Sequence, residues 1–343
     1  MPDGPLLEQL GWTADRDAEM APLAARGLAP ARVSLEHNHV YRVIGSSGER
    51  LAEAAGRLKH QAVARHALPS VGDWVAVRPN SAGPRVQIAA VLSRRTWVSR
   101  QAAGRETGEQ IVAANLETVL VTFGLDRPLK ARAIERYLVV GRRGGAVPVV
   151  VLNKADVAEE DDLSAAMGEA REAAGDVDVL VASSRTGAGL DAIEARLGFG
   201  RTVAFIGPSG AGKSSIVNRL LDTDALPTGE VREWDARGRH TSVHRQMLVR
   251  ARGGVIIDTP GMRELQLWEP TGVADVFADI EQLAADCRFR DCRHDREPGC
   301  AVKAAVEAGR LDAARHDHFL RLQAEEEEIA RRRIEEARRR GEG

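Results

Sequence analysis

Gly207-Pro208-Ser209-Gly210-Ala211-Gly212-Lys213-Ser214 fits the G-x-x-x-x-G-K-[ST] spacing of a phosphate-binding loop. The flanks are right for that motif. The apolar run at 202–206 reads as a buried strand, and Ser215 opens a stretch to 221 that reads as the following helix. Glycines let the backbone turn its N–H groups inward around a polyphosphate, and the helix N-terminus adds positive potential. Lys213 suits the β- and γ-phosphates, and the Ser214 hydroxyl suits one position on Mg²⁺. The bland alternative is a glycine-rich turn that matches by accident; a strand and a helix in their proper places argue against it.

Three further motifs also follow strand-like runs. Asn153-Lys154-Ala155-Asp156 is an N-K-x-D sequence. There the aspartate carboxylate accepts from the N1–H and the N2 amino group of guanine, a donor pair that adenine lacks. A buried carboxylate left unpaired against the wrong base is costly, so discrimination can be large. Ser183 and Ser184 lie downstream, with backbone N–H groups suited to guanine O6. Asp258-Thr259-Pro260-Gly261 supplies a carboxylate for Mg²⁺ through water and, at Gly261, an N–H for the γ-phosphate. Between loop and Asp258 lies Gly238-Arg239-His240-Thr241-Ser242, where Thr241 is placed to bind Mg²⁺ only in the triphosphate state. Position 262, where many GTPases put a water-orienting glutamine, is methionine; His240 is the nearest replacement, and a surface histidine is the other reading. No arginine finger is evident from the sequence.

The order is informative. An ordinary GTPase runs phosphate loop, first switch, D-x-x-G, N-K-x-D; here N-K-x-D comes first. The same sheet with its chain ends moved satisfies this, and termini close in space make such permutation tolerable. Residues 106–272 read as that α/β domain: six strands with interleaved helices form a mostly parallel sheet covered on both faces. A tight hairpin at 252–254 makes one edge antiparallel.

Upstream, 1–34 read as an irregular lead-in with one weak helix, and 35–105 as short strands of barrel size. A five-stranded OB-type barrel, often an RNA binder, is one solution; a small spacer barrel is the other. Arg94, Arg95, Arg100 and Arg105 read as a basic patch or as ordinary solvated surface. Downstream, 273–343 turn helical and charged. All three cysteines fall there, and Cys287, Cys292, His294 and Cys300 make a closed four-ligand set of the structural zinc type. His316 and His318 take simpler surface readings.

Composition bounds the rest. The chain has 343 residues, enough for two or three domains, and net charge −2, so any nucleic-acid contact must come from a local patch. Lysine occurs at only five positions, which makes Lys154 and Lys213 stand out. The start lacks a secretory signal pattern and no apolar run is long enough to span a bilayer. A cytoplasmic monomer without membrane contact is expected.

The motifs together resemble the ribosome small-subunit-dependent GTPase A family, the RsgA/YjeQ type of circularly permuted GTPase. The matching stretches are Val71-Gly72-Asp73-Trp74-Val75, Glu109-Gln110-Ile111-Val112-Ala113-Ala114-Asn115, the N-K-x-D, phosphate-loop and D-T-P-G motifs, Gly238 to Thr241, and the cysteine cluster with Glu297-Pro298-Gly299. The resemblance runs from about residue 11 to 315. It implies an OB-fold, a permuted GTPase domain and a helical zinc domain. It also implies binding to the small ribosomal subunit and its rRNA, a role in late subunit maturation, and hydrolysis of GTP to GDP stimulated by the subunit. The family's GTP role carries to Asn153, Lys154, Asp156 and 207–214, its zinc ligands to the Cys/His set, and its proposed catalytic histidine to His240. Ser242 stands where a threonine is often seen, which leaves Mg²⁺ sensing open between Thr241 and Ser242. Two rival readings are a GTP-gated RNA-binding module with no ribosome role and, ranked last, a phosphotransferase, for which no acceptor-side base is visible.

Overall fold

The computed structural model describes residues 5–37, 40–62, 65–79, 85–101, 109–221, 245–259 and 276–340. His240, Thr241, Ser242, Gly261, Met262, Gly238 and Arg105 lie outside them.

Five short strands close a barrel: β1 (Ala29–His37), β2 (Val40–Gly45), β3 (Gly48–Ala54), β4 (Trp74–Arg78) and β5 (Val86–Val91). Their order is β1-β2-β3-β5-β4, with β4 returning to β1, and only β3–β5 is parallel. This is the OB-type solution expected from the turn spacing. Alternate residues point inward, among them Ala31, Val33, Tyr41, Val43, Val75 and Val77, and fill a small core of their own. A short helix, α3 (Gly56–Gln61), follows β3, and a hairpin of β6 (Trp97–Gln101) and β7 (Glu109–Ala114) follows β5.

The central sheet contains β8 (Thr118–Gly124), β9 (Val147–Asn153), β10 (Val179–Val181), β11 (Thr202–Ile206), β12 (Arg245–Val249) and β13 (Val255–Asp258). Its order is β10-β9-β8-β11-β13-β12, parallel except for β12–β13. All seven residues of β8 are buried, as befits a central strand covered on both faces. Its alternation sends Val119 and Val121 to the face carrying α4 (Ala131–Arg143) and α5 (Glu160–Ala174). Leu120 goes to the face carrying α6 (Leu190–Glu194) and α7 (Lys213–Leu220).

Two expectations change. β12 is antiparallel to β13 as expected, but it is not an edge: it pairs with barrel strand β1 at Leu35↔Gln246 and Glu36↔Arg245. An open strand edge offers a row of unpaired N–H and C=O groups, and β1 uses it. The lead-in is not irregular either. It holds α1 (Pro5–Gln9) and α2 (Ala14–Ala24), with Leu7, Leu10, Trp12 and Met20 buried in the main core.

The C-terminal part comprises α8 (Ala278–Ala284), α9 (Ala301–Glu307) and α10 (Ala313–Arg340). Phe277, Ile280, Val302 and Phe319 share the main core with Ile134, Tyr137 and Leu138 of α4. The helical end is therefore packed on the nucleotide-fold sheet through α4.

Candidate functional site

The phosphate loop joins β11 to α7 at the carboxyl end of the parallel strands, where open α/β sheets bind ligands. Two glycines are dictated by close approach. A Cβ on Gly207 (φ +138°) would stand 2.1 Å from the Thr122 carbonyl oxygen, and one on Gly212 (φ +84°) 2.2 Å from Asn153 Nδ2. Lys213 Nζ donates to the carbonyls of Gly207 and Pro208, both at 2.8 Å, so the ammonium sits at the mouth of the loop. Ser209 is exposed, Gly210, Lys213, Ser214 and Ser215 are partly accessible, and Ala211 is buried. Asp258 is buried at the end of β13, opposite Phe205 in the register and so beside the start of the loop. Thr259 Oγ1 donates to the Phe205 carbonyl at 2.5 Å, fixing the strand end next to it.

The N-K-x-D segment meets this loop directly. Asn153 is fully buried; its Nδ2 donates to the Ala211 carbonyl at 2.9 Å and its Oδ1 accepts the Ser184 N–H at 3.0 Å. Lys154 adopts φ +65°, a left-handed conformation, and its Nζ meets Asp126 at 2.8 Å. Asp156 accepts from the Ser183 hydroxyl at 2.5 Å and from Arg185 Nε at 2.8 Å. The Ser183 hydrogen bond, which outweighs burial, and then Arg185 hold the Asp156 carboxyl below the usual carboxylate range. Asn153, Lys154, Asp156, Ser183 and Ser184 are thus one constellation against the phosphate loop.

Sequence reasoning missed Arg127, which follows β8. A Cβ built on Gly210 would lie 2.9 Å from its guanidinium, so this arginine stands over the loop. It pairs with Asp126 at 3.4 Å, which Lys154 also holds. Burial raises the Asp126 carboxyl, but Lys154 and Arg127 pull it below its ordinary value. The only sequence signal was a basic residue three positions after a buried strand.

The second constellation is the cysteine cluster. The ligand atoms of Cys287, Cys292, His294 and Cys300 all lie within 4.8 Å of one another. Cys287 and Cys300 Sγ are 3.9 Å apart, and each is 3.5 Å from His294 Nδ1. A tetrahedral centre with metal–sulfur bonds of about 2.3 Å and metal–nitrogen bonds of about 2.0 Å needs edges of roughly 3.5–3.8 Å. The residues therefore fit a four-coordinate metal ion. His294 sits at φ +62°, which turns its ring into the cluster. The Ala301 N–H donates to Cys287 Sγ at 3.3 Å and the Lys303 N–H to Cys300 Sγ at 3.5 Å, the bonds that orient thiolate ligands. His316 Nε2 meets the His294 carbonyl at 3.0 Å.

His318 is not at the surface. It is buried and its Nδ1 meets Glu135 of α4, which is buried as well. Glu135 also accepts from Arg315, whose guanidinium grips Asp279 at 2.8 and 2.9 Å and lies 4.7 Å from the Phe277 ring centre. This network fastens α10 and α8 to α4. Arg94 is neither patch nor solvated surface: its Nε and a terminal nitrogen donate to fully buried Asp73 at 2.8 and 2.7 Å.

Among known proteins, the RsgA GTPase family profile matches residues 91–268. The small ribosomal subunit biogenesis GTPase RsgA of Opitutus terrae is 44% identical over 95% of this chain and 91% of its own length. That of Syntrophotalea carbinolica is 38% identical over 93% and 89%. Among solved structures, YjeQ from Thermotoga maritima superposes with TM-score 0.65 at 26% identity, covering 87% of this chain and 98% of its own. YloQ, described as a circularly permuted GTPase, gives 0.60 at 22% identity over 88% and 96%, a likeness of fold.

Proposed function

The chain belongs to the RsgA GTPase family, and from that premise we propose that it hydrolyses GTP to GDP and phosphate while bound to the small ribosomal subunit and its rRNA, late in that subunit's maturation. The observation that carries this reading is the Asn153–Ala211 hydrogen bond, which joins a guanine-selecting loop to a phosphate loop in one site.

In this reading Asp156 accepts from the guanine N1–H and N2 amino group, displacing Arg185 from its carboxylate, and the Ser183–Ser184 backbone faces O6. The N–H groups of 207–215 and Lys213 stabilise charge spreading over the γ-phosphate during in-line attack of water. Gly261 senses that phosphate, and His240 orients the water, in the place where glutamine serves other GTPases. Mg²⁺ would be held by Ser214, Asp258 and Thr241, neutralising charge on the β- and γ-oxygens. Softness of the donor set makes zinc the metal for Cys287, Cys292, His294 and Cys300, in a structural role. We divide the chain near 35, 106 and 273 into lead-in, barrel, GTPase domain and zinc-binding helical domain, with the first boundary moved back to Ala29, where barrel strand β1 begins. We take it to be a cytoplasmic monomer; no described helix is long and apolar enough to cross a membrane.

The test is the rate of phosphate release with and without purified small subunits. A sharp rise on adding them is expected; the same rate in both would count against the ribosomal role.

A further inference from the structure

At the opposite end of the sheet from the phosphate loop, a cavity of about 530 Å³ opens between the N-terminal helices, the barrel and the starts of β8 and β11. The length of β11 puts it roughly 15–20 Å from that loop. Five arginines and one glutamate line it: Arg16, Arg32, Arg95, Arg196, Arg201 and Glu117.

Two of the five have their own counter-ions at the rim. Arg95 pairs with Asp15, and Arg196 with Asp178 at 2.6 Å. The other three do not. Arg32, 1% exposed, donates to the carbonyls of Leu10, Gly72 and Asn115 and to the Thr202 hydroxyl, all neutral acceptors. Arg16, 2% exposed, donates to the Ser93 carbonyl at 3.3 Å and the Asn115 side-chain oxygen at 2.7 Å, and its Nε–H has no acceptor among the described residues. Arg201 makes no ion pair among the described residues. Glu117 spends one oxygen on the Thr202 N–H at 2.6 Å.

Interdomain glue accounts for Arg32, whose four acceptors come from α1's end, the barrel and the central sheet. It does not account for Arg16, which uses two nitrogens on neutral oxygens, while Arg201, an exposed arginine, lines the same cavity. The Trp74 ring, 5.4 Å from Arg32 and 5.9 Å from Arg16, offsets part of the desolvation. Burial, and for Arg16 also the neighbouring Arg95, brings both down to about 10, so both stay charged at neutral pH. Glu19, Asp15 and Asp73 act on Arg16, and Glu117 and Asp73 on Arg32, through space without hydrogen bonding to them. Buried charge without a bonded counter-ion is costly, and an anion in the cavity would lower that cost. Guanidinium forks match phosphate oxygens two at a time, and the volume lies in the range of small-ligand sites.

We propose that this cavity binds a small phosphate-bearing anion, held by Arg16 and Arg201 with the charge of Arg32 behind them. Bound there, it ties the N-terminal helices and barrel to the GTPase sheet, because its ligands come from α2 and from the residue before β11.

The experiment uses full-length protein saturated with GDP, so that the phosphate loop is already filled, and inorganic pyrophosphate as the probe. Calorimetry and thermal melting should both report binding. Arg201→Gln and Arg16→Gln should each weaken it roughly ten-fold or more, the loss expected for a charge-assisted hydrogen bond, while GDP affinity is unchanged. Arg16→Gln risks the fold, so Arg201→Gln on an exposed side chain is the primary variant. No pyrophosphate binding to the GDP-loaded wild type, or equal binding by Arg201→Gln, overturns the proposal. A short single-stranded RNA that binds through Arg201 when pyrophosphate does not also overturns it, since the arginines then read a nucleic-acid backbone.

Discussion

Asn153 Nδ2 donates to the Ala211 carbonyl at 2.9 Å while Asn153 Oδ1 accepts the Ser184 N–H at 3.0 Å, so one buried amide bolts three loops together. Asn153→Ala leaves that carbonyl and that N–H unpaired, at a cost of about 1–3 kcal/mol. Guanine-nucleotide affinity should fall by about 5- to 150-fold, since the base loop and phosphate loop no longer share a register. Titration with a fluorescent GDP analogue measures it; an unchanged Kd would remove Asn153 from the site.

Asp156 has both oxygens engaged, by Ser183 at 2.5 Å and Arg185 at 2.8 Å. Asp156→Asn replaces an acceptor by a donor where guanine offers two donors. GTP affinity should drop by on the order of 100-fold or more, and xanthosine triphosphate, whose ring presents an acceptor there, should bind better than to wild type. Competition between the two triphosphates checks this, and a retained preference for GTP would exclude Asp156 from base reading.

Parts of this architecture were written plainly in the chain. Strands such as β8, buried at every position, leave an apolar run broken only by Thr122, and glycines forced by Thr122 and Asn153 leave a spaced motif. The four cysteine-cluster residues are close in sequence because one loop closes the cluster. What was illegible depends on distant partners. The inward face of α2 presents Arg16 and Met20, and a buried arginine reads as a solvated one until its acceptors are known. His318 looked like surface because Glu135 lies 183 residues away. The β1–β12 pairing has no local signature, since an edge strand does not encode which other edge it meets.

Glu135 is that distant partner. Its carboxylate is 3% exposed and receives both Arg315 and His318. Glu135→Ala leaves Arg315 half-buried without its α4 partner, a loss of about 3–5 kcal/mol for a broken buried pair. The melting temperature should fall by roughly 5–15 °C, and α10 should become protease-sensitive first. A melt within a degree of wild type would show that the apolar contacts of Phe277 and Phe319 hold the helical domain alone.

Asp279 gives the pH dependence of the same junction. Burial raises its carboxyl, but the Arg315 hydrogen bonds and charge outweigh this and hold it below its ordinary value. A carboxyl depressed in the folded state adds stability above its unfolded pKa of about 3.9 and loses it as pH falls through the lower folded value. Protection factors in α8, taken relative to the intrinsic exchange rate at each pH, should therefore fall on acidification below about pH 4 relative to pH 7, and Asp279→Asn should flatten that difference. A wild-type profile identical to that of Asp279→Asn would remove this pair from the acid response.

The metal prediction turns on how the cluster is tied into the core. Cys300 is both a ligand and a member of the main hydrophobic core with Val302 and Phe319, and the Phe319 ring centre lies 6.1 Å from that of His294 with the planes tilted by 47°. Three thiols within reach of one another cannot all be thiolates without a cation: Cys287 is held low by the N–H groups of Ala301 and Val302 against burial, while burial and the neighbouring thiols push Cys292 up to about 11. A dication replaces those protons and lets all three ligate, so binding energy becomes folding energy for this region. Elemental analysis should find about one zinc per chain. Removing it with a strong chelator, or Cys300→Ser, should unfold α9 and the start of α10 while the phosphate loop still binds GDP, because no cluster residue touches that loop. A metal-free protein with an unchanged circular dichroism spectrum and melt would overturn the structural role.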